Sequence, residues 1–269
     1  MPAYASLIER AAPQGLSGTP GQARRLSIAG SRPARPGARE PGANTAPRDR
    51  WAADAWLLVR EGSNRQAFAS VNPAALGANQ VGIVVRYALA PATPLDPHAY
   101  VRVSKALVAD GEGEAAAGVS IAPLRKVPLR IHGELRVTDR AGLGGAATEV
   151  RPAAFVTTGL ARQKLMPGVE GEAYLQAGYV GGDFATGFVD GKATLETPLI
   201  KREAGRVAVG AGAWGGAQRD ASRFDIGPTA SVSLATGRVS LRGSIDYRFR
   251  VAGDAVPGDG LAVTLAASF

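Results

Sequence analysis

The chain contains no cysteine, and its aromatic content is low, at 6%. The absence of cysteine excludes disulfide bonds, zinc–thiolate sites and cysteine nucleophiles. Histidine occurs only at His98 and His132, without carboxylates at the spacing of a metal site, and no motif marks a serine as a nucleophile. We therefore predict no cofactor, no metal site and no catalytic site, so that the protein is not expected to be an enzyme.

Long hydrophobic runs are also missing. No stretch approaches the roughly 18 consecutive apolar residues of a membrane-spanning helix, which excludes helical insertion. The start, MPAYASLIERAAPQGLSG, lacks the charged and then apolar regions of a secretion signal. Because the strand pattern of the chain indicates an exported protein, either its start codon is misplaced or it is the C-terminal piece of a longer exported protein, and we favour the second explanation.

Positive charge is concentrated at the start of the chain. Residues 1–50 hold eight arginines and three acidic residues, in a chain whose net charge is +8. This segment is rich in Pro, Gly and Ala and has no apolar period, so it cannot bury enough surface to offset its ordering entropy. We predict a disordered Arg/Pro/Gly-rich segment over 1–50, and no nucleic-acid partner for the remainder.

The end of the chain carries the clearest pattern. From Val239 to Val251 apolar and polar residues alternate, as VSLRGSIDYRFRV, and a second alternating run ends on Phe269. Successive side chains of a strand point to opposite faces, so each run predicts a strand with one apolar and one polar face. A closing strand that ends on an aromatic residue is typical of bacterial outer-membrane barrels.

About twelve such segments, each of ten or so residues, follow one another from Trp51 onward, separated by turn signals such as LRKVP. An even number of hairpin-linked strands lets the first and last strands pair, which closes the sheet and removes its edges. We predict an all-β fold over 51–269: an antiparallel up-and-down transmembrane β-barrel of about twelve strands. With the amino terminus in the periplasm, the longest loop, from Gly62 to Asn79, faces outward.

Alternation alone does not decide which face meets lipid, because a soluble barrel alternates in the same way. The polar rows carry both signs of charge on one strand, which suits a lumen, and the apolar rows are rich in Ala and Gly, which suits acyl chains better than a packed core. The predicted lumen-lining residues are Arg60, Arg86, Arg102, Arg130, His132, Glu134, Arg136, Glu172, Asp190, Lys192, Glu196, Arg242, Asp246, Arg248 and Arg250. The aromatic girdles at the two membrane surfaces are expected from Trp51, Tyr87, Trp214, Tyr247, Phe249 and Phe269.

Three segments, GEAAAGVSIAPLRKVPLRIHGELR, YLQAGYVGGDFATGFVDGKATLETPL and SIDYRFRVAGDAVPGDGLAVTLAASF, resemble the C-terminal barrel regions of tetratricopeptide-repeat outer-membrane proteins. That group includes the phage adsorption protein A family and exopolysaccharide-export porins of Gram-negative bacteria. The resemblance covers Trp51 to Phe269 and rests on strand rhythm and the YRFRVAG ending. In that family a periplasmic repeat array precedes the barrel, where this chain has its Arg/Pro-rich segment.

The pattern and the resemblance together predict a barrel in the outer membrane that serves as a pore or export component for a cell-envelope polymer, an exopolysaccharide. The expected partners are outer-membrane lipid, the barrel-assembly machinery and a polysaccharide synthesis or export complex. Two alternatives stay open at this point. One is a surface receptor or adhesin-like barrel that acts through its loops, and the other is a soluble barrel that binds a ligand inside. A lumen packed with ion pairs and an open pore are equally compatible with the charged rows.

Overall fold

The computed structural model of the protein describes residues 50–63, 79–91, 93–107, 113–124, 126–140, 147–183 and 185–269. The predicted disordered segment, apart from Arg50, and most of the predicted long loop lie outside these residues. Within the described ranges, no helix has the length and apolar character needed to cross a membrane.

Twelve strands form one closed antiparallel barrel in which each strand pairs with its neighbours in the chain. The strands are β1 Trp51–Arg60, β2 Gln80–Ala88, β3 His98–Ala106, β4 Gly113–Ile121, β5 Arg130–Arg140, β6 Ala147–Met166, β7 Val169–Val180, β8 Thr186–Lys201, β9 Gly205–Gln218, β10 Ala221–Thr236, β11 Val239–Gly253 and β12 Gly260–Ser268. Pairing of β1 with β12, from Asp54 opposite Ser268 to Arg60 opposite Ala262, closes the ring. The predicted fold class is confirmed.

The barrel is apolar outside and ionic inside. On β11, the Ile245 side chain is 57% exposed, whereas its neighbour Asp246 is 1% exposed. The same contrast appears on β3, where Val101 is 54% exposed and Arg102 is 2% exposed. A soluble barrel has the reverse polarity, because its apolar side chains must leave water. The outer surface is therefore suited to hydrocarbon, and the charged rows line the lumen.

Strand length varies around the barrel. Strands β2 and β3 have 9 residues each, which matches the length that crosses a bilayer, whereas β6 has 20 residues and β8 and β10 have 16 each. The prediction of uniform segments of about ten residues is wrong for this side of the wall. At the last residues of β6, from Gln163 to Met166, consecutive side chains are exposed, so alternation no longer marks the strand there.

Two glycines have a clear structural reason. Gly237, with φ +59°, forms the connection between β10 and β11 together with Arg238, and a two-residue hairpin requires positive φ. Gly82 lies opposite Trp56, and a Cβ atom added to it would come within 2.2 Å of a Trp56 ring carbon. The indole of Trp56 therefore folds over Gly82 inside the barrel.

The polarity of the wall predicts a depth-dependent cost for charge on the outer face. The Leu135 side chain is 58% exposed in the middle of β5, and Leu199 is 62% exposed near the end of β8. We expect Leu135→Arg to lower the free energy of unfolding in lipid vesicles by about 2–4 kcal/mol, and Leu199→Arg by at most about 1 kcal/mol. Urea titrations followed by tryptophan fluorescence measure both. Equal costs for the two variants would contradict the assignment of β5 to the bilayer core.

Candidate functional site

The lumen is the part of the molecule where polar groups gather, and strand alternation places them there. The predicted lumen residues that occupy inward positions and are buried are Arg60, Arg86, Arg102, His132, Glu134, Arg136, Glu196, Asp246 and Arg248. Those on inward positions with partial exposure are Arg130, Glu172, Asp190, Lys192, Arg242 and Arg250. Inside the barrel they separate into several clusters, which differ in position along its axis.

One cluster is centred on the Glu134 carboxylate of β5. Its Oε1 atom accepts hydrogen bonds from Arg136 Nε at 2.6 Å and Arg102 Nη2 at 3.0 Å, and its Oε2 atom accepts one from the Tyr100 hydroxyl at 2.8 Å. Arg102 also pairs with Glu114 of β4 at 2.6 Å. Both oxygens of the buried carboxylate thus have partners, which offsets much of its desolvation cost.

A second cluster lies toward the rim that carries the turns 202–204 and 237–238 and the chain end, here called the terminal rim. Glu172 of β7 pairs with Arg162 at 3.0 Å, Lys192 at 3.2 Å and Arg242 at 2.5 Å. Arg242 belongs to β11, and three strands separate β11 from β7 in the wall. The bond between Arg242 and Glu172 therefore spans the lumen instead of following the sheet.

The same bridge continues to neighbouring carboxylates. Arg242 Nη2 lies 3.7 Å from Glu196 Oε1, and the other Glu196 oxygen accepts from Arg206 Nη1 at 2.8 Å. Arg206 Nε in turn donates to Glu170 at 3.0 Å. These contacts join strands β7, β8, β9 and β11 through one continuous network of ion pairs.

A third cluster lies near the opposite rim, where β1 ends, β2 begins and the connection 254–259 lies; it is here called the loop rim. The Asp225 carboxylate of β10 accepts from Arg60 Nη1 at 2.8 Å and from Arg223 Nε at 3.0 Å. Arg248 donates to Asp246 at 2.9 Å, and its guanidinium lies 4.5 Å from the centre of the Trp214 ring. Arg60 comes from β1, so this cluster also joins strands that are not neighbours.

The position of Trp214 corrects one expectation. It was predicted to belong to an outer aromatic girdle, but it is 9% exposed and faces the lumen beneath Arg248. The reason is parity: Trp214 shares its strand face with Arg206 and Ala208, both of which are buried. Other girdle candidates do face outward, including Trp51 and Phe249, which are 62% and 46% exposed.

Several lumen residues escaped sequence reasoning. Asp54 of β1 pairs with Arg86 of β2 and accepts from the Ser268 hydroxyl of β12, which ties the closing seam together. Arg206 and Arg223 were also missed, although each alternates with an outward apolar residue on its strand. A group of buried side chains inside the barrel, formed by Trp56, Val84, Tyr100, Phe155 and Tyr174, was not predicted at all.

The fold and the lumen together define the class. Closed hydrogen bonding, an apolar exterior and an ionic interior are what a barrel in a bilayer requires. The protein is an outer-membrane β-barrel.

No protein-family model matches the chain, and no curated protein sequence matches it. Among solved structures, the chain is similar to the β domain of the Bordetella autotransporter BrkA at 13% identity and a TM-score of 0.42, covering 82% of this chain and 99% of that one. It is similar to LpxR from Salmonella typhimurium at 11% identity and a TM-score of 0.44, covering 81% and 99%. A bacterial polysaccharide outer-membrane secretin matches at 10% identity and a TM-score of 0.38, covering 81% and 97%.

The Glu134 cluster predicts a large effect of removing one charge. Glu134→Gln keeps the volume of the side chain, but among the described residues it leaves the buried Arg136 guanidinium without a carboxylate at hydrogen-bond distance and removes one of the carboxylates that pair with Arg102. We expect the free energy of unfolding to fall by about 3–5 kcal/mol, the usual cost of breaking a buried ion pair from one side. Urea titration in lipid vesicles measures it. Glu203→Gln, at an exposed turn position, is the control and should have little effect.

Proposed function

We propose that this barrel is an export component for a cell-envelope polymer, an exopolysaccharide, and that ion pairs across its lumen hold it closed at rest. The observation that carries the proposal is the bridge between Arg242 on β11 and Glu172 on β7, two strands that are not neighbours in the wall. A contact of this kind obstructs the lumen without being needed for strand pairing.

The bonds that cross the lumen are of a type that can open. Arg242, Glu172 and Lys192 retain partial exposure, so water can solvate each group when the pairs separate. Breaking a buried ion pair is costly unless the separated charges find other partners. Here water in the lumen can supply those partners.

The lining also has the chemistry that a sugar chain needs. Guanidinium, carboxylate and hydroxyl groups supply hydrogen-bond donors and acceptors in close alternation along the lumen, as at Tyr100, Arg102 and Glu134. Aromatic rings, including those of Tyr174 and Trp214, are also buried inside the barrel. A polymer rich in hydroxyl groups can exchange its hydrogen bonds with such a wall as it moves.

The proposal implies partners during assembly of the barrel and during export of the polymer. The barrel-assembly machinery would receive the closing strand β12, which is followed by Phe269 with its ring 47% exposed. A polysaccharide synthesis or export complex would deliver the polymer to the periplasmic end of the lumen. Outer-membrane lipid would cover the apolar exterior.

A second candidate function is favoured by the depth of burial in the lumen. Arg60, Arg102, Asp225 and Asp246 are each at most 2% exposed, so the barrel could equally serve as a permanently closed support. The protein would then be a surface receptor or adhesin-like barrel whose activity lies in its loops. This role requires no movement of the lumen side chains.

Conductance separates the two functions. Arg242→Gln removes the group that bridges Glu172 and Glu196, so in planar bilayers we expect its ionic conductance to exceed that of the wild-type barrel severalfold. In cells, polymer release should depend on the presence of the protein. Arg219→Gln, at an exposed turn between β9 and β10, is the matched control and should conduct like the wild type. Unchanged conductance in Arg242→Gln, together with unimpaired polymer release in cells without the protein, would favour the receptor role.

A further inference from the structure

The connection between β11 and β12, residues 254–259, is held at the loop rim by arginines from three different strands. The contacts are Arg60 Nη2 to the Gly258 carbonyl at 2.8 Å, Arg223 Nη2 to the Pro257 carbonyl at 3.1 Å and Arg250 Nη1 to the Ala255 carbonyl at 2.8 Å. Three guanidinium groups thus converge on neutral carbonyl oxygens of a single short loop.

Arginines are concentrated at this end of the lumen. Arg60, Arg223 and Arg248 are buried there, with exposures of 2%, 6% and 5%, and among the described residues they form ion pairs with Asp225 and Asp246. A single carboxylate, that of Asp225, serves two of the arginines. Arg250 adds a further positive charge at the rim.

Three acidic residues of the described part of this rim accept hydrogen bonds from backbone amides. Asp259 accepts from the Arg250 amide at 2.7 Å, Asp254 from the Ser222 amide at 3.2 Å and Glu61 from the Leu261 amide at 3.3 Å.

Two donors at the mouth have no acceptor among the described residues. The Nε atoms of Arg60 and Arg248 are both buried and make no hydrogen bond there. A guanidinium is always charged, and a buried charged donor without an acceptor is costly. The Arg248 guanidinium also lies 4.5 Å from the centre of the Trp214 ring, which adds a cation–π contact. The cluster is therefore a set of oriented donors with unused capacity.

We infer that Arg60, Arg223 and Arg248 form a binding site for the carboxylate group of an acidic saccharide at the loop-rim mouth of the lumen. This inference rests on the proposed function. Anionic oxygens make shorter and stronger bonds to guanidinium than neutral carbonyls do, and a carboxylate matches the guanidinium fork. An acidic sugar unit would take the donors now used by the carbonyls of Pro257 and Gly258, and so release the loop that lies over the mouth.

The site can be tested with the full chain folded in detergent micelles. Isothermal titration with trigalacturonate, an acidic trisaccharide, should show saturable binding, and maltotriose, its neutral counterpart, should bind at least about tenfold more weakly. Arg248→Gln and Arg60→Gln should each lower the affinity for trigalacturonate by about tenfold or more. Asp225→Asn, which frees two arginines from their shared carboxylate, should raise it.

Arg219→Gln is the matched control, because it removes an arginine from the same rim at an exposed position. Heat-modifiable migration on a gel verifies folding of every variant. If an arginine variant does not fold, the increase in Asp225→Asn carries the test, since damage to the fold cannot raise affinity. Equal binding of the two trisaccharides, equal loss in Arg219→Gln, or lower affinity in folded Asp225→Asn would overturn the inference.

The outcome is separable from that of the proposed function. Binding of trigalacturonate with no role of the protein in polymer release would leave the site in place and remove the export function. Polymer release that depends on the protein, combined with absence of acidic-sugar binding, would support the export function and overturn the binding site.

Discussion

The structure depends on one constraint: hydrocarbon offers no hydrogen-bond partner to a peptide group. A sheet in a bilayer must therefore pair every strand on both sides, which the bond between β1 and β12 achieves. Once the ring is closed, each strand has one face toward lipid and one toward the lumen. Residues such as Val101 and Arg102, adjacent in the chain, then have opposite surroundings, and the lumen receives all the charge that the lipid face cannot carry.

Gathering the charges creates its own requirement, because each buried ion needs partners. The lumen meets this with carboxylates that serve several cations, as Glu134 and Glu172 do, and with bonds that reach across the interior. Buried ion pairs are a weak source of stability, but a specific arrangement of them disfavours other packings of the same side chains. The two proposals for this protein each rest on such an arrangement. The first uses the ion pairs across the lumen at the terminal rim, and the second uses the arginine cluster at the loop rim.

Much of the architecture could be predicted because period-two alternation is a local property. The pattern from Val239 to Val251 defined β11, and the same reasoning predicted the closed barrel of about twelve strands. Prediction from alternation failed where it was overridden by residue type or where the strand no longer alternates. Aromatic character suggested the membrane surface for Trp214, yet strand parity places it inside, and at the end of β6, from Gln163 to Met166, residues of both faces are exposed.

The sequence by itself determined the kind of wall, its closure and which side chains share a face, because these follow from alternation and from an even count of strands. Only the tertiary structure decided which charges meet, since partners such as Arg242 and Glu172, or Arg60 and Asp225, come from strands that are not neighbours. Their meeting depends on the stagger of the strands around the barrel, a quantity that no single strand encodes. For the same reason, the grouping of arginines beneath the loop 254–259 could not be foreseen from their spacing in the chain.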